Sequence, residues 1–173
     1  MLEAANYSAA ETLRNGERIL IRALRPEDRE GIIAAVASIG SASLYRRFFA
    51  VKRDFGEEEK LYFLNPDFIS HVALAAVAEE AGKPVITGGA RYVATKPGEA
   101  EVAFLVTDKH QGQGIGAALM RHLVTIAREA GLRELTAQVL AENRAMLKVF
   151  ERSGLPLSKR FEAGTVHLVL SLS

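Results

Sequence analysis

The sequence predicts an α+β fold in which helices flank a mixed, mostly antiparallel central sheet. Two observations lead to this prediction. Between residues 71 and 106, apolar segments of strand length follow one another, separated by short turns that contain glycine or proline. In residues 101–131 a strand, a glycine-rich turn and a helix with apolar residues at helical spacing follow, and strand and helix patterns then alternate to the C-terminus.

The N-terminal part is predicted to hold one hairpin and three helices. Residues 1–11 are expected to form a loosely ordered tail, and residues 12–173 a single domain. Asn15 and Gly16 favour positive φ angles and predict a hairpin turn, while Pro26 suits the first turn of a helix. The expected elements are strands at residues 12–14 and 18–24 and helices at residues 26–40, 41–49 and 57–64.

Turn signals divide the remainder of the chain into short elements. Lys96-Pro97-Gly98 and Ala163-Gly164 are typical of turns, and Gly131 is a plausible helix stop. The expected strands cover residues 71–78, 85–94, 101–106, 134–140, 157–161 and 165–170, and the expected helices cover residues 115–130 and 144–153.

Length and composition indicate an ordinary globular protein. With 49% hydrophobic residues, 25% charged residues and a net charge of +1, the chain has no basic field for nucleic acid. It has no cysteine, which excludes disulfides and cysteine-bound metal, and its four histidines lack a metal-binding spacing. The longest apolar run, residues 72–78, is too short for a membrane span, and the N-terminus does not resemble a signal peptide. We therefore expect a cytoplasmic protein without metal, nucleic-acid or membrane partners.

Gly112, Gly114 and Gly116 alternate with other residues between a strand and a helix. The first N–H groups of a helix have no partner within it and favour anions, and glycine lets a phosphate approach them. The pattern predicts a phosphate or pyrophosphate site, although a tight turn that binds nothing would look the same. Ile115 and Ala117 occupy positions where a Walker loop needs Lys and Ser or Thr, and the acid that a dinucleotide site needs is misplaced.

Gln111-x-x-Gly114-x-Gly116 resembles the coenzyme A signature of the GNAT superfamily of CoA-dependent N-acetyltransferases. Asn143, which opens the helix that carries Phe150, resembles the second signature of that family. The resemblance implies a GNAT fold, acetyl-CoA as co-substrate and no metal. It further implies that the cofactor is bound by Phe104, Leu105, Val106, Gln111, Gly112, Gln113, Gly114, Ile115, Gly116, Ala117 and Asn143.

Two further segments, residues 21–28 (IRALRPED) and 43–49 (SLYRRFF), indicate a particular branch of the GNAT superfamily. They are similar to the acetyltransferase domain of bacterial protein-lysine acetyltransferases, and the similarity covers roughly residues 12–155. It implies that the acceptor is a primary amine, in particular a protein lysine. The sequence leaves the oligomeric state open, including a homodimer.

Acetyl transfer to lysine needs a base, because a lysine side chain with a pKa of about 10.4 is mostly charged at neutral pH. Glu101 opens the strand that lies beside the thioester in GNAT folds, and the resemblance implies that Glu101 is this base. A strand-end glutamate exposed to water is the other interpretation. Asn143 is expected to cap its helix and, by resemblance, to contact the CoA arm.

Phe150 departs from the family pattern. Many GNAT enzymes have a tyrosine there, which protonates the leaving thiolate, so we assign no general acid; the weaker candidates are Tyr45, Tyr92 and His110. Two other functions stay open. One is acetylation of a small-molecule amine, which a deep acidic pocket near Glu101 would favour. The other is a non-catalytic domain that senses acyl-CoA.

Overall fold

The computed structural model of the chain describes residues 3–37 and 65–173. The predicted helices at residues 41–49 and 57–64, together with Tyr45, lie outside the described residues. The strands are β1 Ser8–Thr12, β2 Arg18–Ala23, β3 His71–Glu80, β4 Lys83–Lys96, β5 Glu99–Val106, β6 Glu134–Leu140, β7 Leu157–Glu162 and β8 Thr165–Ser171. The helices are α1 Arg29–Ala37, α2 Ile115–Glu129 and α3 Arg144–Glu151, and 3₁₀ turns lie at Ala4–Asn6, Pro26–Asp28 and Asp108–His110.

The eight strands of the described residues belong to one sheet, in the order β1-β2-β3-β4-β5-β6-β8-β7. Neighbouring strands are antiparallel except β5 and β6, which run parallel because α2 carries the chain back across the sheet between them. The predicted mixed, mostly antiparallel sheet with flanking helices is confirmed.

Helix α2 covers the centre of one face of the sheet. Its apolar stripe, formed by Ile115, Leu119, Leu123 and Ile126, is almost completely buried in the main core. Strand β4 passes beneath the start of α2 at Gly88, where a Cβ atom would lie 2.7 Å from the carbonyl oxygen of Leu105 and 3.3 Å from Cγ2 of Ile115, the first residue of α2. The missing side chain therefore lets α2 begin close to the sheet.

A smaller apolar cluster lies on the opposite face. It includes Leu24, Ile32 of α1, Ala75 and Leu105. Leu105 thus faces away from its neighbour Phe104, which belongs to the main core, because successive side chains of a strand alternate.

A buried ion pair ties β2 to the start of α1. Arg22 donates to both carboxylate oxygens of Asp28, at 2.7 and 2.8 Å, and the Arg25 N–H donates to one of them at 2.7 Å. Although burial opposes the charged form, these hydrogen bonds hold the pKa of the Asp28 carboxyl below its ordinary value.

The N-terminal residues differ from the predicted loose tail. Residues 8–12 form β1, which pairs with residues 18–22, and the turn lies at Asn15 and Gly16 as predicted. Two side chains hold β1 against α2: the Tyr7 hydroxyl hydrogen bonds to Nδ1 of His122, and a Glu11 carboxylate oxygen lies 2.6 Å from Nε2 of His122. These partners are more than a hundred positions apart in the sequence, so local composition could not indicate them.

Two absences apply to residues 3–37 and 65–173 only. No helix there has the length and apolar character that a membrane crossing needs. No group of three or more histidine, aspartate or glutamate side chains there is placed to hold a metal ion.

Candidate functional site

The glycine-rich segment joins β5 to α2. After Val106, the Thr107 N–H donates to the carbonyl oxygen of Thr87 on β4 at 2.9 Å, and a 3₁₀ turn leads to the glycines. Gly112 has a φ of 79° and Gly114, the N-cap of α2, has a φ of 92°. A residue with a Cβ atom is strained at such angles, so the glycines fix the sharp entry into α2.

A cavity of about 590 Å³ opens over this loop. Its volume lies within the roughly 300–1,000 Å³ range of small-molecule sites. One wall is the loop with the start of α2, and the other is the first turns of α3. The predicted cofactor residues that line it are Val106, Gln111, Gly112, Gly114, Ile115, Gly116, Ala117 and Asn143.

Four basic residues around the cavity make it suitable for an anion. Arg144 and Lys148 of α3 and Arg152, its C-cap, are spaced four positions apart and line the cavity, as does Arg14 from the β1–β2 turn. The Arg14 Nε atom lies 4.0 Å from the position that a Cβ of Gly114 would occupy. Sequence reasoning did not predict these four basic residues as ligand contacts. The four-residue spacing of the three that follow Asn143 could have indicated them.

Asn143 begins α3. Its Oδ1 accepts a hydrogen bond from the Met146 N–H at 3.3 Å, so the predicted helix cap is present. Asn143 lines both the large cavity and a narrower gap between β5 and β6, so the two spaces adjoin.

The narrower gap exists because β5 and β6 pair over three rungs only. Their pairing ends at Glu101 and Thr136, whereas β5 continues to Val106 and β6 to Leu140. Phe104 lines the gap and contacts Phe150 edge to face, with ring centroids 5.6 Å apart. The volume of the gap is about 40 Å³, and its walls are Val102, Ala103, Phe104, Ala137, Gln138, Val139, Asn143, Met146 and Phe150.

The edge of β5 that faces this gap presents backbone polar groups. Because the Thr107 N–H points to β4, the alternation of a strand turns the N–H and C=O groups of Val106 away from β4. The Gln111 side-chain amide donates to the Val106 carbonyl oxygen at 3.3 Å. The Val106 N–H therefore faces the space beyond the end of the β5–β6 pairing.

The Glu101 side chain projects from the face of the sheet that carries Leu105, opposite to the face that carries Phe104. Its side chain and that of Ala103 are exposed, and Arg91 on β4 pairs with Ala103. Arg91 donates to Nε2 of buried His71 at 2.7 Å. Burial, followed by the nearby guanidinium, lowers the pKa of His71 to about 4, so its ring is neutral at neutral pH.

Not every predicted residue takes the expected position. The Leu105 side chain packs in the smaller core on the far face, and the alternation of the strand turns its backbone N–H and C=O groups toward Gly89 on β4 rather than toward the gap. Gln113 is half-buried within the loop. Sequence reasoning also missed Arg91 and His71, because the register of β3, β4 and β5 that places them beside Glu101 is not visible in the sequence.

The sequence profile of the Acetyltransferase (GNAT) family matches residues 42–155 of the chain. The chain belongs to the GNAT acetyltransferase family. The resemblance drawn from Gln111, Gly114 and Gly116 is thereby confirmed. As a GNAT protein it is an acetyltransferase that uses acetyl-CoA, and its sheet and helices form the GNAT fold.

Similar GNAT proteins include two curated relatives. Acetyltransferase PA5475 of Pseudomonas aeruginosa is 34% identical over 137 residues, which are 79% of this chain and 74% of that protein. Acetyltransferase Pat of Mycolicibacterium smegmatis is 35% identical over 144 residues, which are 82% of this chain and 42% of that protein. The chain thus spans less than half the length of the second relative.

Solved GNAT structures agree with the fold. The GNAT domain of S. lividans PAT superimposes with a TM-score of 0.84 at 34% identity, over 95% of this chain and 96% of that domain. The cAMP-binding acyltransferase from Mycobacterium smegmatis has a TM-score of 0.67 at 28% identity, and the match covers 98% of this chain but 48% of that one.

Proposed function

We propose that this GNAT protein transfers an acetyl group from acetyl-CoA to the side-chain amine of a protein lysine, with Glu101 as the general base. The observation that carries the proposal is the position of Glu101. An exposed carboxylate projects from the last rung at which β5 and β6 pair, next to the gap that opens between them.

The cofactor would lie across the large cavity and enter the gap. The loop N–H groups at Gly112, Gly114 and the start of α2 are available to its pyrophosphate, with Arg14 and Lys148 nearby as counter-charges. Asn143, which borders both spaces, would contact the arm of the cofactor. Acetyl-CoA supplies the activated acyl group as a thioester.

Glu101 would take a proton from the lysine ammonium group, directly or through a water molecule, because only the neutral amine attacks a thioester. The Val106 N–H points toward the gap and would donate to the thioester oxygen as negative charge develops on it. Phe150 has no proton to give to the departing thiolate. The two ring nitrogens of His110 contact Thr107 and Glu80, and solvent water would supply that proton.

Two observations favour a protein lysine as acceptor. Glu101 and Ala103 are exposed, which suits a side chain presented by a large partner. The sequence of residues 21–28 and 43–49 also resembles the acetyltransferase domain of bacterial protein-lysine acetyltransferases. A small-molecule amine is the alternative that the experiment must separate.

The test incubates the protein with labelled acetyl-CoA and a cell lysate and then separates proteins from small molecules. Glu101→Gln removes the base, and Glu99→Gln, two positions earlier on the same strand, is the matched control. We expect the wild type and Glu99→Gln to transfer label to lysate proteins and Glu101→Gln to transfer none. Label in the small-molecule fraction would move the assignment to a small amine, and bound acetyl-CoA without any label would favour a sensor.

A further inference from the structure

Both ring nitrogens of His110 are engaged within the protein. Nδ1 lies 2.7 Å from the Thr107 hydroxyl, and Nε2 lies 3.0 Å from a carboxylate oxygen of Glu80, the last residue of β3. Hydrogen bonds from Lys109 and then from His110 hold the pKa of the Glu80 carboxyl below its ordinary value. Because a carboxylate only accepts hydrogen bonds, Nε2 is the donor of this pair.

The Thr107 side chain is in turn anchored to the sheet. Its hydroxyl lies 3.3 Å from the carbonyl oxygen of Thr87, which also accepts the Thr107 N–H. Thr87, Thr107 and His110 are all buried. The buried imidazole therefore bridges the partly exposed Glu80 at the end of β3, the middle of the sheet and the turn that follows β5.

His110 also lines the cofactor cavity, immediately before the glycine-rich loop. Within the loop the Gln111 amide donates to the Val106 carbonyl oxygen at 3.3 Å, whereas open space surrounds the Cβ position of Gly112. Ordering a free backbone costs conformational entropy, and this cost reduces affinity when it arises on binding. Contacts in the segment before the glycines can therefore fix the conformation of the loop before CoA binds.

We propose that His110 is a positioning residue for the cofactor. Held between Glu80 and Thr107, it fixes the start of the glycine-rich loop so that the loop N–H groups converge before CoA binds. This inference rests on the proposed cofactor site and deepens it. His110 lies beyond the end of β5, about 17 Å or more along the chain direction from Glu101, which fits a role in binding rather than in proton transfer.

The test measures CoA binding by calorimetry, which needs no acceptor and no activity. The variants are His110→Ala, Glu80→Ala and the double variant. We expect each single change to raise the Kd for CoA about tenfold, because the freed start of the loop must then be ordered when CoA binds. The double variant should lose little more than either single one, because both remove the same bridge.

Kinetics separate positioning from a merely structural or catalytic role. The KM for acetyl-CoA should rise in His110→Ala while kcat at saturation changes less than about twofold. His110→Gln, whose amide nitrogen can still donate to Glu80, should recover most of the affinity. Glu79→Ala is the matched control, since Glu79 is the exposed neighbour of Glu80 on the same strand.

Three results would overturn the inference. If the wild type binds CoA and His110→Ala binds it with the same affinity, His110 has no positioning role and the proposed cofactor site is unaffected. A collapse of kcat without a change in Kd would make His110 a proton donor instead. Failure of the wild type to bind CoA would remove the proposed cofactor site, and the inference with it.

Discussion

Glu101 on β5 pairs with Thr136 on β6 in the last rung before these two parallel strands separate. The proposed base is therefore placed by the topology of the sheet rather than by a loop. The gap that follows, with Phe104 on one side and Ala137 on the other, begins at the next residues of both strands. The proposed base and the proposed space for the thioester thus both lie where the two strands separate.

Glu101→Gln should change how the reaction rate depends on pH. Without a base, only lysine that has already lost its proton reacts, so kcat/KM should rise about tenfold per pH unit toward the lysine pKa of about 10.4. The wild type should show a shallower rise and a rate about 10²–10⁴-fold higher near neutral pH. The measurement is a pH profile with the acceptor found by labelling. Parallel profiles for the two proteins would contradict the role of Glu101.

Gly114→Ala should weaken CoA binding beyond its effect on stability. The φ of 92° at Gly114 makes any side chain cost roughly 1–2 kcal/mol in the folded state. Gly164 in the β7–β8 turn has a φ of 81° and an open surrounding, so Gly164→Ala should lose similar stability. We expect urea unfolding to give comparable losses, but only Gly114→Ala to raise the Kd for CoA. An equal Kd in both variants would count against the loop as the pyrophosphate site.

Asn143 has two roles that substitutions can separate. Asn143→Ala removes the hydrogen bond to the Met146 N–H and should cost about 0.5–2 kcal/mol of unfolding free energy. Asn143→Ser keeps a capping oxygen but shortens the side chain and removes the amide. We expect Ser to restore stability without restoring CoA affinity, measured by thermal unfolding and calorimetry. If Ser restores both, the cap alone accounts for Asn143.

Much of this architecture could be predicted because its signals are local. The apolar stripe of α2, the turn at Asn15 and Gly16 and the glycines before α2 each lie within one short segment. The strand Glu134–Leu140 has the predicted bounds for the same reason. Of the eleven cofactor residues that the GNAT motifs predict, eight line the cavity, since the loop and the start of the helix are contiguous.

The features that escaped prediction depend on register or on distant partners. Strand β1 is held by His122, and His110 by Glu80, across long stretches of sequence. Arg91 reaches His71 only because residues 71–80 and 83–96 pair in one particular register. A one-residue shift would have moved Arg91 to the other face of the sheet.

His71 should make the protein less stable in mild acid. Its pKa is about 4 in the folded protein and 6.5 in an ordinary environment. Between these values the unfolded chain binds a proton that the folded chain does not, so stability falls as pH falls. The slope from this residue is at most about 1.4 kcal/mol per pH unit and ends below a pH of about 4.

The experiment measures urea unfolding of the wild type and of His71→Asn between about pH 7 and about pH 4.5. Asp28 and Glu11, whose carboxyl pKa values are lowered by hydrogen bonds, lose stabilising charge in acid in both proteins, so the difference between the two isolates His71. We expect a smaller pH slope in His71→Asn, whatever its stability at neutral pH. Equal slopes in the wild type and His71→Asn would show that the buried ring beside Arg91 does not govern the acid sensitivity.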